Sequence, residues 1–189
     1  MKVNKTDAME IATLGGGCYW CLEAVFELLD GVCSVQSGAS GGHTENPTYE
    51  ELCSGKTGHV EVVQLKFDPC LITFGDILEI FFSIHDPTTV NRQGGDVGTQ
   101  YRSAIFTHDP EQTRKARKVI EQLMVDEIWS DPVVTEVLNF QVFYPAEKSH
   151  QEYFRNNQNQ PYCQIVINPK VSKVRTKFSE KLKTEDSEY

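Results

Sequence analysis

The chain has 189 residues, 39% of them hydrophobic, with a formal net charge of −9. That length supports one well-buried core, and the acidic balance argues against nucleic acid or an anionic membrane as a partner, since both repel it. No long apolar run opens the sequence, so neither a signal peptide nor a membrane span is expected, and the compartment implied is the cytoplasm.

Residues 10–14 read as a short strand feeding three glycines, and 18–29 as a helix stopped by Asp30-Gly31. A strand over 32–37 precedes a long loop, 38–58, rich in Gly, Ser, Thr, Asn and Pro, with one helical turn expected at 49–53. Loops of this length inside a compact domain are usually functional. Residues 59–67 alternate as a strand, 73–85 form an apolar helix, and 91–100 make a second Gly-rich loop before a strand at 101–107. Asp109-Pro110 starts a helix whose buried stripe is Ala116, Val119, Ile120, Leu123 and Met124. After that come a strand over 133–140, a polar helix entered at Tyr144-Pro145 and running to 157, and a last strand at 164–167. A basic helix over 170–183 and a frayed tail, 184–189, close the chain. Strands and helices interleave without regular βαβ spacing, so the fold class expected is α+β, a two-layer sandwich with helices packed on a mixed central sheet. One domain spans 1–189, with a core at about 10–173.

Six cysteines stand at 18, 21, 33, 53, 70 and 163. In a reducing compartment these are thiols rather than a disulfide framework. Cys18 follows Gly15-Gly16-Gly17 where a helix begins, so unpaired N–H groups and the helix dipole favour its thiolate. Cys18 and Cys21 form a Cys-x-x-Cys pair on one side of the first helical turn. Redox chemistry is the first reading of such a pair, general dithiol exchange included. Structural zinc would need a second pair, and the other cysteines stand alone. The histidines lack ligand-like spacing, so no metal site is expected. Gly15-Gly16-Gly17 also lacks the spacing of a phosphate-binding loop.

Several ordered segments together carry a resemblance. They are Gly-Cys-Tyr-Trp at 17–20, Gly41-Gly42, Asn46-Pro47-Thr48-Tyr49, the run Cys53 to Glu61, His85-Asp86-Pro87 and Gly98-Thr99-Gln100-Tyr101-Arg102-Ser103. From about residue 14 to 173 the chain resembles the peptide methionine sulfoxide reductase A family. The resemblance implies Cys18 as nucleophile, Glu61 as acid, Tyr49, Asp96 and Tyr101 as polar site residues, and Tyr19 with Trp20 as the pocket for the methyl group on sulfur. Two departures stand out. Tyr19 takes a place more often held by Phe, and Gly38-Ala39-Ser40-Gly41-Gly42 lacks the aromatic of the familiar Gly-Tyr-x-Gly-Gly motif.

The chemistry agrees with this transfer. A sulfoxide needs an acid at oxygen and a soft nucleophile at sulfur. Glu61 lies on an expected strand among valines, where burial raises a carboxyl pKa and keeps its proton near neutral pH. Oxygen transfer leaves Cys18 as a sulfenic acid, which a second thiol must resolve. Cys163 occupies the family's resolving position, with the run 156–161 supplying flexibility, and Cys21 is the local competitor. The resemblance further implies a monomer without cofactor, acting on the S epimer of methionine sulfoxide, free or in proteins, and recycled by thioredoxin or, in vitro, dithiothreitol.

Overall fold

A computed structural model describes residues 9–184; the readings of residues 1–8 and of the tail beyond Thr184 lie outside them. Strand β1 (Glu10–Gly15) runs into helix α1 (Tyr19–Phe26), followed by β2 (Val32–Ser40), α2 (Tyr49–Cys53), β3 (Val60–Phe67) and α3 (Phe74–Ile84). The second Gly-rich loop folds into a small hairpin, β4 (Arg92–Gln93) with β5 (Asp96–Val97), and a 3-10 turn, Thr99–Tyr101. Then come β6 (Ala104–Thr107), α4 (Pro110–Val125), β7 (Glu136–Asn139), β8 (Phe143–Pro145), α5 (Tyr153–Asn156) and α6 (Asn168–Lys177).

Six strands form one mixed sheet in the order β7-β6-β1-β3-β2-β8, antiparallel except for the parallel pair β6–β7. Alternation along β3 divides its side chains between two faces. Glu61, Val63, Leu65 and Phe67 face the helices, with Val63, Leu65 and Phe67 in the main core beside Leu22, Phe26, Ile77, Phe81, Ala116 and Val174. Val60 and Val62 face the other way and join Ala104 and Phe106 in a smaller cluster. The architecture is α+β, as expected.

Capping accounts for the helix starts. Thr48 and Glu51 form a capping box at α2, Thr73 and Asp76 another at α3, and Asp109 accepts from the Gln112 N–H ahead of Pro110. The stripe on α4 is narrower than its spacing suggests: Ala116 is buried and Val119, Ile120 and Leu123 pack partly, but Met124 is half exposed.

Two expectations are corrected. Tyr144-Pro145 does not open a helix; it belongs to β8, which closes the sheet by pairing Gly38 with Pro145 and Ala39 with Tyr144. Proline is tolerated there because β8 is an edge strand. Residues 164–167 are not a strand either, but part of a π-helical turn, Cys163–Ile167, that leads into α6. The buried positions Cys163, Ile167, Val171, Val174 and Phe178 recur every three or four residues, a helical period, while Ile165 between them is 74% exposed.

The C-terminal segment returns to the far end of α1. The Asp30 N–H donates to the Lys181 carbonyl at 2.8 Å, the Lys183 N–H to the Leu28 carbonyl at 2.9 Å, and Lys181 Nζ reaches Asp76 at 2.8 Å in the first turn of α3.

Candidate active site

The three glycines at the end of β1 set the position of Cys18. A Cβ on Gly15 would lie 2.5 Å from Val60 Cγ1 and 2.9 Å from the Glu61 carbonyl oxygen, and Gly17 has φ +93°, which favours glycine. The backbone thus passes against β3 and turns into α1 with Cys18 as its N-cap. Cys18 is 7% exposed and Cys21 is buried behind it.

Glu61, 1% exposed, accepts a hydrogen bond from the Tyr19 N–H at 3.1 Å, the amide next to Cys18. Burial, supplemented by the negative charge of Asp96, raises its pKa to about 8 despite that bond. Glu61 is therefore largely protonated at neutral pH.

The thiols depart from the helix-dipole expectation. Burial pushes Cys18 well above the ordinary thiol value, its hydrogen bond to Cys21 and the nearby Glu61 charge adding to the effect. Cys21, on the receiving side of that bond and near Lys170, is lowered to about 7. Desolvation outweighs the dipole at Cys18 because the residue lies inside the core rather than on an exposed helix end. Cys163 is also buried, its pKa raised by desolvation and by the proximity of Cys21.

Aromatic groups from five segments close the site. Tyr19 is buried, and its hydroxyl is hydrogen-bonded to His150 Nδ1 at 3.1 Å. Trp20 is stacked by Tyr153, ring centroids 3.7 Å apart and planes within 8°, and also by His150 at 5.5 Å. Tyr162 meets the Trp20 edge at 6.0 Å. The Tyr49 ring lies 4.3 Å from His150. Burial raises the phenols of Tyr49 and Tyr101, both of which feel the charges of Glu61 and Cys18, so both stay protonated as donors. Asp96, on β5, caps no turn here; it accepts a 2.7 Å hydrogen bond from the Tyr162 hydroxyl, which also lies 3.9 Å from Cys21 Sγ.

Every residue singled out from the sequence thus falls in one neighbourhood, including Cys163. Missing from the sequence reading are His150, Tyr153, Tyr162 and Glu23. Glu23 is buried on α1 and accepts from the Tyr153 N–H at 3.2 Å, fixing the segment that stacks on Trp20. Gln151 holds the same segment to β2: its side chain accepts from the Ser37 N–H at 2.9 Å and donates to the Ser37 carbonyl at 2.8 Å. The available signal was His150 and Tyr153 spaced three apart, with Tyr162 flanking Cys163. Among the described residues no cluster of His, Cys, Asp and Glu could hold a metal ion.

A buried thiol beside a protonated carboxyl, walled by aromatics, equips the site to attack a soft electrophile while protonating its oxygen. The family model for peptide methionine sulfoxide reductase matches residues 10–182. The peptide methionine sulfoxide reductase MsrA of Chromobacterium violaceum is 56% identical over 171 residues, covering 90% of this chain and 97% of that one. Its counterpart in Saccharolobus solfataricus is 53% identical over 175 residues, 93% and 98% of the two chains. Among solved structures, reduced Mxr1 from Saccharomyces cerevisiae matches with a TM-score of 0.77 at 32% identity, over 86% of this chain and 92% of that one. The chain belongs to the peptide methionine sulfoxide reductase family, and with it to the oxidoreductases.

Proposed function

We propose that the protein reduces the S epimer of methionine sulfoxide, free or within proteins, to methionine. The observation that carries this reading is the buried Glu61 carboxyl, raised to about 8 and bonded to the amide beside Cys18. The Cys18 sulfur attacks the sulfoxide sulfur, its own proton passing along the hydrogen bond to Cys21, while Glu61 protonates the oxygen. The protonated oxygen then shifts to the Cys18 sulfur: a Cys18 S–O bond forms while the new S–S bond and the substrate S–O bond break, leaving Cys18 as a sulfenic acid and methionine with its sulfur reduced by two electrons. Tyr49 and Tyr101 donate hydrogen bonds to the oxygen as its charge grows. Tyr19 and Trp20 hold the methyl group, and Asp96 acts through Tyr162.

A thiol then condenses with the sulfenic acid, releasing water and leaving a disulfide. Cys21, already hydrogen-bonded to Cys18, meets it first; Cys163, beside Cys21, takes over the disulfide by exchange and is reduced by the dithiol of thioredoxin. The yeast relative Mxr1 has a solved structure in complex with Trx2, which supports this choice of reductant. On this reading the catalyst is a cofactor-free monomer, acting in the cytoplasm.

Assaying each sulfoxide epimer separately with dithiothreitol tests the reaction; absence of S-epimer turnover sinks it. For recycling, Cys163→Ser is expected to stop thioredoxin-driven turnover while still yielding one equivalent of product and a Cys18–Cys21 disulfide by mass spectrometry. A general dithiol exchange, suggested by the Cys18–Cys21 hydrogen bond, predicts instead insulin-disulfide reduction that survives Glu61→Gln.

A further inference from the structure

Beside the candidate active site is a cavity of about 180 Å³, walled by Tyr19, Ala39, Tyr49, Leu52, Tyr144 and Pro145. We infer that it is a subsite for one apolar side chain of the substrate, belonging to a residue next to the methionine sulfoxide in a peptide. This rests on the reading of the protein as a sulfoxide reductase that accepts protein-bound substrate.

The cavity is continuous with the reaction site. Tyr19 and Tyr49 belong to both, and Ala39 is the cross-strand partner of Glu61, so the two side chains stand side by side on one face of the sheet. Its lining is mostly apolar: Ala39, Pro47, Leu52, Pro145 and Ala146 stand with the rings of Tyr19, Tyr49 and Tyr144, the Tyr19 hydroxyl is taken up by His150, and Asn46, Thr48 and Glu147 are the polar members. Its size selects the occupant: an apolar cavity of about 150 Å³ accepts a benzene ring, whereas independent ligand sites run from about 300 Å³ upward. One leucine or phenylalanine side chain fits; a second ligand does not.

Ala39 sets the depth. Its neighbour Gly38 is closed in, since a Cβ there would meet the Tyr144 carbonyl and the Phe143 ring, so the small side chain of Ala39 is what leaves the space open. Glu147, exposed in the lining, sets the charge at the mouth and disfavours an acidic side chain.

The test uses peptides carrying S-methionine sulfoxide flanked on either side by Leu, Phe, Gly or Glu, with dithiothreitol as reductant. At one of the two positions Leu or Phe is expected to exceed Gly by about tenfold in kcat/KM, through KM. Ala39→Phe, which fills the cavity, is expected to bring that ratio near one. Glu147→Lys, on the surface and without risk to folding, is expected to relieve the discrimination against Glu by a few-fold. A wild-type enzyme that turns over all peptides equally overturns the subsite while leaving the reductase reading intact; no turnover of any peptide or of N-acetylmethionine sulfoxide overturns the reductase reading itself. A Leu preference that persists in Ala39→Phe also overturns the subsite.

Discussion

Two halves of the site are built differently. Cys18 and Glu61 stand on α1 and β3, elements anchored in the main core and forced together by glycines that leave no room for a side chain. His150 and Tyr153 come from a 3-10 turn and a short helix, held by side chains such as Gln151 and Glu23 rather than by a ladder of backbone bonds, while Tyr162 opens the helical run that leads into α6. On the proposed function, the reacting groups are set on elements of the main core and much of the wall around them on segments with room to adjust, a division that suits a substrate entering as part of many different polypeptides.

The contrast can be broken most severely at the rigid half. Cys18→Ser is expected to lower dithiothreitol-driven sulfoxide turnover by about 10⁴-fold or more, since a hydroxyl cannot replace the soft nucleophile; a variant retaining a tenth of the rate would remove Cys18 from its role. Glu61→Gln is expected to cost about 10²- to 10⁴-fold in kcat. With the carboxyl raised to about 8 and needed in its protonated form, the wild-type rate should fall as pH rises through about 8. A flat alkaline limb would count against Glu61 as the acid. The adjustable half should respond more gently: Gln151→Ala, which releases the segment from Ser37, is expected to raise KM roughly tenfold while kcat changes little, the scale of one or two lost hydrogen bonds.

The smallest effect expected is on stability. A carboxyl whose pKa rises on folding keeps a proton that the unfolded chain has already lost, so folded stability declines as pH climbs from the ordinary value of 4.5 toward the folded one. Glu61, raised to about 8, and Glu23, raised to about 7, both act in this direction. Below about 4.5 neither contributes. Glu61→Gln should therefore flatten the fall of Tm between pH 5 and 8 by a few degrees, measured by thermal denaturation.

The same division explains what could be read in the sequence. The strand-glycine-cysteine-helix run, the alternation over 60–67 and the Asp109-Pro110 start follow local rules, and the chain folds accordingly. Residues 143–167 follow no single period. Tyr144-Pro145 resembles a helix entry until the partner strand β2 is known, and Ile165-Val166-Ile167 looks extended until the buried stripe from Cys163 to Phe178 is followed across Pro169. The aromatic wall was illegible for a related reason: what gives His150 and Tyr153 their place is Trp20, about 130 residues away in the chain. The thiol reading erred on burial, because a helix start can be recognised from sequence while its depth in the core cannot.

One consequence follows from the return of the C-terminal segment to α1. The helix bearing Cys18 and Cys21 is gripped at both ends, by β3 through the Glu61–Tyr19 bond and by the backbone bonds of Lys181 and Lys183 around Leu28 and Asp30. It behaves as an anvil. In the proposed relay, whatever travel is needed to bring a third sulfur into line belongs to the hammer, the π turn that holds Cys163, whose upstream run 157–160 lies mostly at the surface. Trimming the chain back past Lys181 would loosen the anvil instead, and recycling would then suffer without any cysteine having been touched.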